Sequence, residues 1–223
     1  KRTVSADRVS GRGAEVSFIC RELPWSMCDF IEAKGFEVHR LPEPQLELKT
    51  PAGTRLYERW PGVSKDQDAR ETIGILSKLP KPDWLIIDHY SLDIAWETPV
   101  RPHVKKIMVI DDLADRHHDC DVLLDQNLYV DMGTRYDGLV PAHCLTMEGP
   151  KYALLRPEFV AARKTLRERD GIVRRVLVFF GGADTTNETA KALGAMKIVN
   201  RPDIAIDVVV GNANPYKKKI AQA

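Results

Sequence analysis

Short strand-like runs recur along the chain at Val16–Ile19, Glu37–Arg40, Trp84–Ile87, Ile107–Ile110, Val122–Leu124, Arg175–Phe180 and Ile204–Val210, with segments of helical character between them. This alternation constrains the fold more than any other feature. Runs of this length rich in Val and Ile read as strands, and strands that alternate with helices build a parallel sheet wrapped by helices. Most of the runs are continuously apolar, the pattern of strands covered on both faces. The expected class is α/β.

The intervening segments carry their own punctuation. Ser26 to Lys34 reads as a short helix stopped by Gly35. Ser64 to Leu79 reads as a longer one, capped by Ser64, with Ala69, Ile73, Ile75, Leu76 and Leu79 largely on one face. Ser91 to Val100 follows, capped by Ser91 and stopped by Pro99 and Pro102. Pro157 to Arg169 opens with proline at the first helical position and carries alternating charge, as a solvated surface helix does. These features predict a first domain over 1–156 with about five strands, a linker helix over 157–171, and a second domain begun over 172–223. Pro42 to Pro61 reads as an irregular excursion. Both ends look cut, because Lys1 to Gly13 runs with helical character directly into a strand and Lys217 to Ala223 stops within a helix.

Composition narrows the partners. The chain has 33 Lys and Arg against 32 Asp and Glu, so no net field argues for nucleic acid or an anionic membrane. The four cysteines, Cys20, Cys28, Cys120 and Cys144, have neither metal-site spacing nor the density of a stapled scaffold, and read as free thiols in a reducing compartment. No apolar stretch approaches the roughly 20 residues that span a bilayer. The expectation is a cytoplasmic protein with no membrane partner, and the sequence is silent on oligomeric state.

In an open parallel sheet, ligands bind beyond the carboxyl ends of the strands. The residues there are polar: Asp88–His89–Tyr90, Asp111–Asp112, Asp125–Gln126–Asn127, and the loop Gly181–Gly182–Ala183–Asp184 with Asn187. A glycine turn at a helix start is a phosphate cradle or simply a turn. Asp88 and Asp111 serve the site or cap their own loops; Asp112 and Asp115 with Arg116 form a salt-bridged loop. His117 and His118 lack the companions of a metal site. Gly-x-Ser-x-Gly, Walker-type and dinucleotide-binding glycine patterns are absent, so what remains is a phosphate-holding turn and a polar crevice.

Several segments, in order, carry a resemblance: Ile87–Asp88–His89–Tyr90; Asp111–Asp112 followed by His118–Asp119–Cys120–Asp121; Leu123–Leu124 with Asn127; Tyr136 to Pro141; Tyr152 to Arg156 with Glu158–Phe159; and Gly181–Gly182–Ala183–Asp184 with Asn187. Together they resemble, over essentially the whole chain, the UDP-sugar hydrolases of pseudaminic acid biosynthesis, which remove UDP from UDP-2,4-diacetamido-2,4,6-trideoxy-β-L-altropyranose. The resemblance implies a GT-B-like fold of two Rossmann-like domains, with UDP on the second, the sugar facing the first, and water attacking the anomeric carbon with inversion.

On that resemblance Tyr90 and Asp88 are the catalytic candidates, with His89, Gln126, Asn127, Gly181, Gly182, Asp184 and Asn187 binding substrate and no metal or cofactor. Asp184 caps the following helix or meets the substrate's hydroxyl or amide groups. The family's Gly-x-Gly-His-x-x-Arg motif supplies a histidine base, and Lys1 aligns with its arginine, so this chain is expected to lack the base and to turn over little on its own. An inactive remnant and a GT-B glycosyltransferase stay open as alternatives, and so does the choice between the pseudaminic and legionaminic routes.

Overall fold

The computed structural model describes residues 6, 10–23, 26–45, 62–166, 168–211 and 214–222. The chain divides into two compact units, Lys1–Ala162 and Arg163–Ala223. Most of Pro42–Pro61 and of Lys1–Gly13 lies outside the described residues.

The first unit runs β1 (Ser17–Arg21), α1 (Cys28–Glu32), β2 (Glu37–Leu41), α2 (Lys65–Leu76), β3 (Trp84–Ile87), α3 (Ile94–Val100), β4 (Lys106–Ile110), β5 (Val122–Asp125), β6 (Leu145–Glu148) and α4 (Pro157–Arg163), the last ending at the unit boundary. Every pairing is parallel: β1 with β2, and β3, β4, β5 and β6 in a four-stranded sheet whose order is that of the chain. This is an α/β unit with parallel sheets, consistent with a Rossmann-like layout. Its core gathers Ile87, Trp96, Val100, Val104, Ile107, Val109, Cys120, Leu123 and Tyr136. Strands β3, β4 and β5 supply Ile87, Ile107, Val109 and Leu123 to it, and helix α3 with the flanking loops supplies the rest.

Sequence and structure differ at several edges. A sixth strand, β6, was not expected, because Leu145–Thr146–Met147–Glu148 is a sheet-edge segment that is largely half-exposed and has no apolar run. Helix α2 begins where expected: Ser64 Oγ accepts the Gln67 N–H at 3.2 Å. Helix α3 begins later, because Asp93 rather than Ser91 is the cap, its Oδ1 accepting the Ala95 N–H at 3.1 Å. Ser91 instead approaches His89 Nδ1 with its hydroxyl, at 2.7 Å. Pro99 lies inside α3 rather than stopping it, and α4 covers only the first half of the expected Pro157–Arg169 helix.

Polar groups lock the layers. Arg21, at the end of β1, donates to Asp68 Oδ2 at 2.8 Å, to Glu71 Oε2 at 2.6 Å and to the Pro42 carbonyl at 2.8 Å. Asp68 also accepts the Trp96 indole N–H at 2.8 Å. One buried carboxylate thus ties β1, α2 and α3 together. Glu97 is buried on α3, where Oε1 pairs with His118 Nδ1 at 2.7 Å and Oε2 accepts the Asp119 N–H at 2.6 Å. His118 is a core residue carrying the loop before β5, which leaves its Nε2 buried with no hydrogen-bond partner among the described residues.

The second unit runs β7 (Arg175–Val178), α5 (Glu188–Val199), β8 (Ala205–Val208) and α6 (Lys217–Ile220), with β7 parallel to β8. Strand β7 was expected to be buried and to reach Phe180. It ends at Val178, and while Val178 is buried, Leu177 is 67% exposed and Phe179 54%. Among the described residues only one face of this two-stranded sheet is covered.

Candidate functional site

The carboxyl ends of β3, β4 and β5 converge on a hydrogen-bonded network built by adjacent parallel strands. Asp111, just after β4, has an almost fully buried carboxylate. Its Oδ2 accepts the Ala114 N–H at 2.9 Å, the Leu113 N–H at 3.2 Å and the Tyr136 hydroxyl at 3.1 Å, and its Oδ1 takes Arg116 at 2.7 Å. Burial pushes this carboxyl up, but the Ala114 amide, Arg116, His118 and Tyr136 together hold it below the ordinary value. Asp111 is thus a loop organiser. Arg116 pairs with this buried acid as well as with Asp115, so the expected salt-bridged loop has Asp111, not Asp112, as its second acid.

Asp125, at the end of β5, mirrors Asp111. Its Oδ2 stands 3.0 Å from the Tyr136 hydroxyl, its Oδ1 accepts the Asn127 N–H at 3.0 Å, and Arg135 Nε lies 3.4 Å away as an ion pair. Tyr136 therefore bridges two buried carboxylates with one phenolic proton. Burial and the two acids push that phenol far above its ordinary pKa, so it remains a neutral donor. Tyr136 lies in one of the resembling segments, but nothing local to residue 136 in the sequence points to partners at the ends of two strands.

Asp112 organises the outer layer. Its Oδ2 accepts the Asn127 side-chain N–H at 3.0 Å, and its carbonyl accepts the Tyr129 hydroxyl at 2.9 Å and an Arg135 N–H at 3.1 Å. The Arg135 guanidinium also lies over the Tyr129 ring, 3.7 Å from its centre. Tyr90 joins through a side-chain hydrogen bond to Asp112. Partial burial, that bond, and the charges of Asp112, Asp88 and Asp111 push the Tyr90 phenol up to about 12. At neutral pH Tyr90 is protonated and cannot serve as a base.

The sequence candidates fall into these surroundings as follows. Asp88, His89 and Tyr90 follow β3 and are half-buried; His89 Nδ1 is engaged by Ser91. Gln126 Oε1 accepts the Leu154 N–H at 3.0 Å, which anchors the chain after β6 and leaves the Gln126 side-chain N–H groups as its other polar face. Asn127 is turned to Asp112. The structure thus joins Tyr90, Asp112 and Asn127 in one network.

In the second unit, Gly181 has φ 78°, a conformation glycine adopts without strain. Gly182 matters for space: a Cβ on Gly211 would fall 2.5 Å from Gly182 Cα and 2.6 Å from its carbonyl carbon. Two loops thus meet backbone to backbone. Asp184 is buried in the left-handed region, at φ 44°. Its Oδ1 accepts the Glu188 N–H at 2.8 Å, and its Oδ2 accepts the Thr189 N–H at 3.1 Å and the Asn214 side-chain N–H at 3.4 Å. Hydrogen bonds from Thr189 lead the causes that hold it below the ordinary carboxylate value. Asp184 therefore occupies amides at the start of α5 that an anion would otherwise use. Asn187, also left-handed, keeps Oδ1 buried without a partner among the described residues.

No group of three or more His, Cys, Asp or Glu residues among the described residues is arranged to hold a metal ion. No described helix is long and apolar enough to cross a membrane. All four cysteines are free thiols, and Cys120 and Cys144 place their sulfurs 3.5 Å apart.

No protein-family model matches the chain. Over 211 residues it is 29% identical to the UDP-2,4-diacetamido-2,4,6-trideoxy-beta-L-altropyranose hydrolase of Campylobacter jejuni subsp. jejuni serotype O:2, a match covering 93% of this chain and 63% of that protein. It is also 27% identical over 143 residues to an uncharacterized protein of Methanocaldococcus jannaschii, covering 63% of this chain and 29% of that protein. The chain spans less than two thirds of the length of either relative. It is a distant homologue of the Campylobacter UDP-sugar hydrolase, the family that its ordered segments resemble.

Proposed function

We propose that this chain is the sugar-side unit and part of the nucleotide-side unit of a GT-B-like hydrolase that removes UDP from a UDP-diacetamido-trideoxy-hexose in nonulosonic acid biosynthesis, in the cytoplasm. The observation that carries the reading is the similarity to the Campylobacter hydrolase over 93% of the chain. In the reaction, water attacks the anomeric carbon, the bond from that carbon to the diphosphate oxygen breaks, and UDP departs with the bonding electrons. Attack opposite the leaving group inverts the centre.

The first unit's polar strand ends take the sugar. Tyr90 contacts the sugar or its attacking water as a neutral hydrogen-bonding group, with Asp88 adding negative charge near the developing positive charge of the anomeric centre. His89 supports this end, while Gln126 and Asn127 read the acetamido groups through the polar atoms they do not give to Leu154 and Asp112. The loop at Gly181 and Gly182 takes the diphosphate through backbone N–H groups. Asp184 shapes that loop by capping α5, and Asn187 offers its side-chain N–H groups to the nucleotide sugar.

We assign the proton-accepting base to none of the described residues. His118 is closed into the core by Glu97, and His89 Nδ1 is engaged by Ser91.

The test is to incubate the full-length gene product with the UDP-sugar and no acceptor, and to follow UDP and free sugar. Release of both at matching rates supports the hydrolase. Release only when an acceptor sugar is added makes the protein a glycosyltransferase, and release under neither condition makes it a binding remnant.

A further inference from the structure

Resting on the reading above, we propose that Asp112 is a positioning residue that fixes the hydrogen-bond polarity of the sugar-side cluster: it accepts hydrogen bonds from Tyr90 and Asn127, so the site selects sugar substituents that donate hydrogen bonds.

A carboxylate only accepts, whereas a phenol has one proton and an amide has distinct donor and acceptor ends. Asp112 Oδ2 holds the Asn127 Nδ2–H at 3.0 Å, which fixes the amide with its nitrogen toward Asp112 and its oxygen turned the other way. The Tyr90 phenol bonds the same carboxylate. Once the single phenolic proton is given to Asp112, any further partner of the Tyr90 oxygen must donate to it. Two groups on the strand ends that flank β4 are thereby set as acceptors. The substituents that satisfy them are acetamido N–H groups or sugar hydroxyls, and an ester carbonyl in the same place would meet an oxygen lone pair.

Asp112 is itself held from behind. Its carbonyl accepts Tyr129 Oη–H and an Arg135 N–H, the Arg135 guanidinium covers the Tyr129 ring, and a second Arg135 contact reaches the Leu113 carbonyl at 3.4 Å. A backbone clamped in this way keeps the carboxylate in register with both donors. A site built on such fixed partners discriminates against ligands that lack the matching group more strongly than an apolar pocket does.

Two measurements test this and separate its failure from failure of the hydrolase reading. The first needs no substrate. In 13Cζ-tyrosine NMR, with Tyr90→Phe assigning the resonance, wild-type Tyr90 stays neutral well past pH 10, facing Asp112, Asp88 and Asp111. In Asp112→Asn its midpoint falls toward the ordinary phenol value of about 10. Circular dichroism at the same pH checks that the variant is folded. The second compares, in the full-length gene product, kcat/KM for the acetamido sugar nucleotide and for an analogue carrying acetoxy in place of acetamido. Wild type favours the acetamido compound by about tenfold, the order expected for one matched hydrogen bond, and Asp112→Asn reduces the preference to about twofold or less. An unchanged Tyr90 midpoint, or an undiminished preference in the variant, overturns the proposal. If the wild type hydrolyses neither compound, the hydrolase reading and the substrate selection built on it both fall, and the NMR titration alone decides whether Asp112 positions Tyr90.

Discussion

Tyr136→Phe removes one oxygen from the buried bridge and nothing else. The ring continues to fill the core beside Ile107 and Leu123, so no sizeable cavity opens and the cost is one of hydrogen bonding. Leaving a buried acceptor unsatisfied costs about 1–3 kcal/mol. Asp111 keeps the Leu113 and Ala114 amides and Arg116, and Asp125 keeps the Asn127 amide and Arg135. The loss therefore falls in the middle of that range, at about 2 kcal/mol, because neither acid is orphaned outright and one phenolic proton never served both fully. For a unit of this size it lowers the melting temperature by roughly 4–8 °C.

Urea unfolding followed by tryptophan fluorescence is the assay, since Trp25, Trp60, Trp84 and Trp96 all belong to the first unit. The effect also depends on pH in a defined direction. Asp111 is held below its ordinary value partly by the Tyr136 hydroxyl, so its stabilising contribution is present above about pH 4 and is lost as pH falls through the depressed folded value. Without the hydroxyl Asp111 is depressed less, and the gap between wild type and variant narrows as pH falls below about 4. A gap under about 0.5 kcal/mol at pH 7, or one that does not narrow in acid, refutes the bridge.

Other substitutions probe separate parts of the architecture. Arg21→Met strips the cation from Asp68 and Glu71 and leaves Asp68 with the Trp96 indole; breaking such a buried pair is expected to cost about 3 kcal/mol, read by the same fluorescence assay. Asp93→Ala removes the α3 cap and is expected to cost about 1 kcal/mol, with faster amide exchange confined to the first turn of that helix. Gly211→Ala drives a methyl into the Gly182 backbone and is expected to cost about 1–3 kcal/mol of overpacking, seen as faster hydrogen exchange in the second unit with the first unit unchanged.

The sequence was most informative where one physical effect acted alone. The apolar runs of β4 and β5 identified themselves because strands packed into the core leave little room for polar residues, whereas β3 was legible from its apolar run although Trp84 and Ile86 on it are exposed. Ser64 identified itself because a capping hydroxyl acts within its own turn. Edge strand β6 escaped because half-exposed Leu145–Glu148 is under no such restriction. Position 91 misled because Ser91 and Asp93 are both good caps, and the choice depended on His89 taking the serine. The strand-end acids were visible as a group, but their division of labour was not. Asp111 and Asp112 are adjacent in sequence, yet one faces Arg116 and Tyr136 in the interior and the other faces Tyr90 and Asn127. Only the packing of residues 126 to 136 against both distinguishes them.

The order of strands in the larger sheet bears on how the first unit reaches its native state. Strand β3 pairs with β4, β4 with β5 and β5 with β6, so each new strand is laid beside the one made just before it. No strand has to insert between two that are already paired. Parallel sheets are usually slow to form because their contacts join distant parts of the chain. Here each ladder closes only the loop that has just emerged, and growth can follow the direction of translation, with β6 the last edge to be covered. Until β6 arrives, the edge of β5 that it will pair presents unpaired backbone N–H and C=O groups, a template for another chain, and that interval is when a ribosome-bound chain is open to edge-to-edge aggregation.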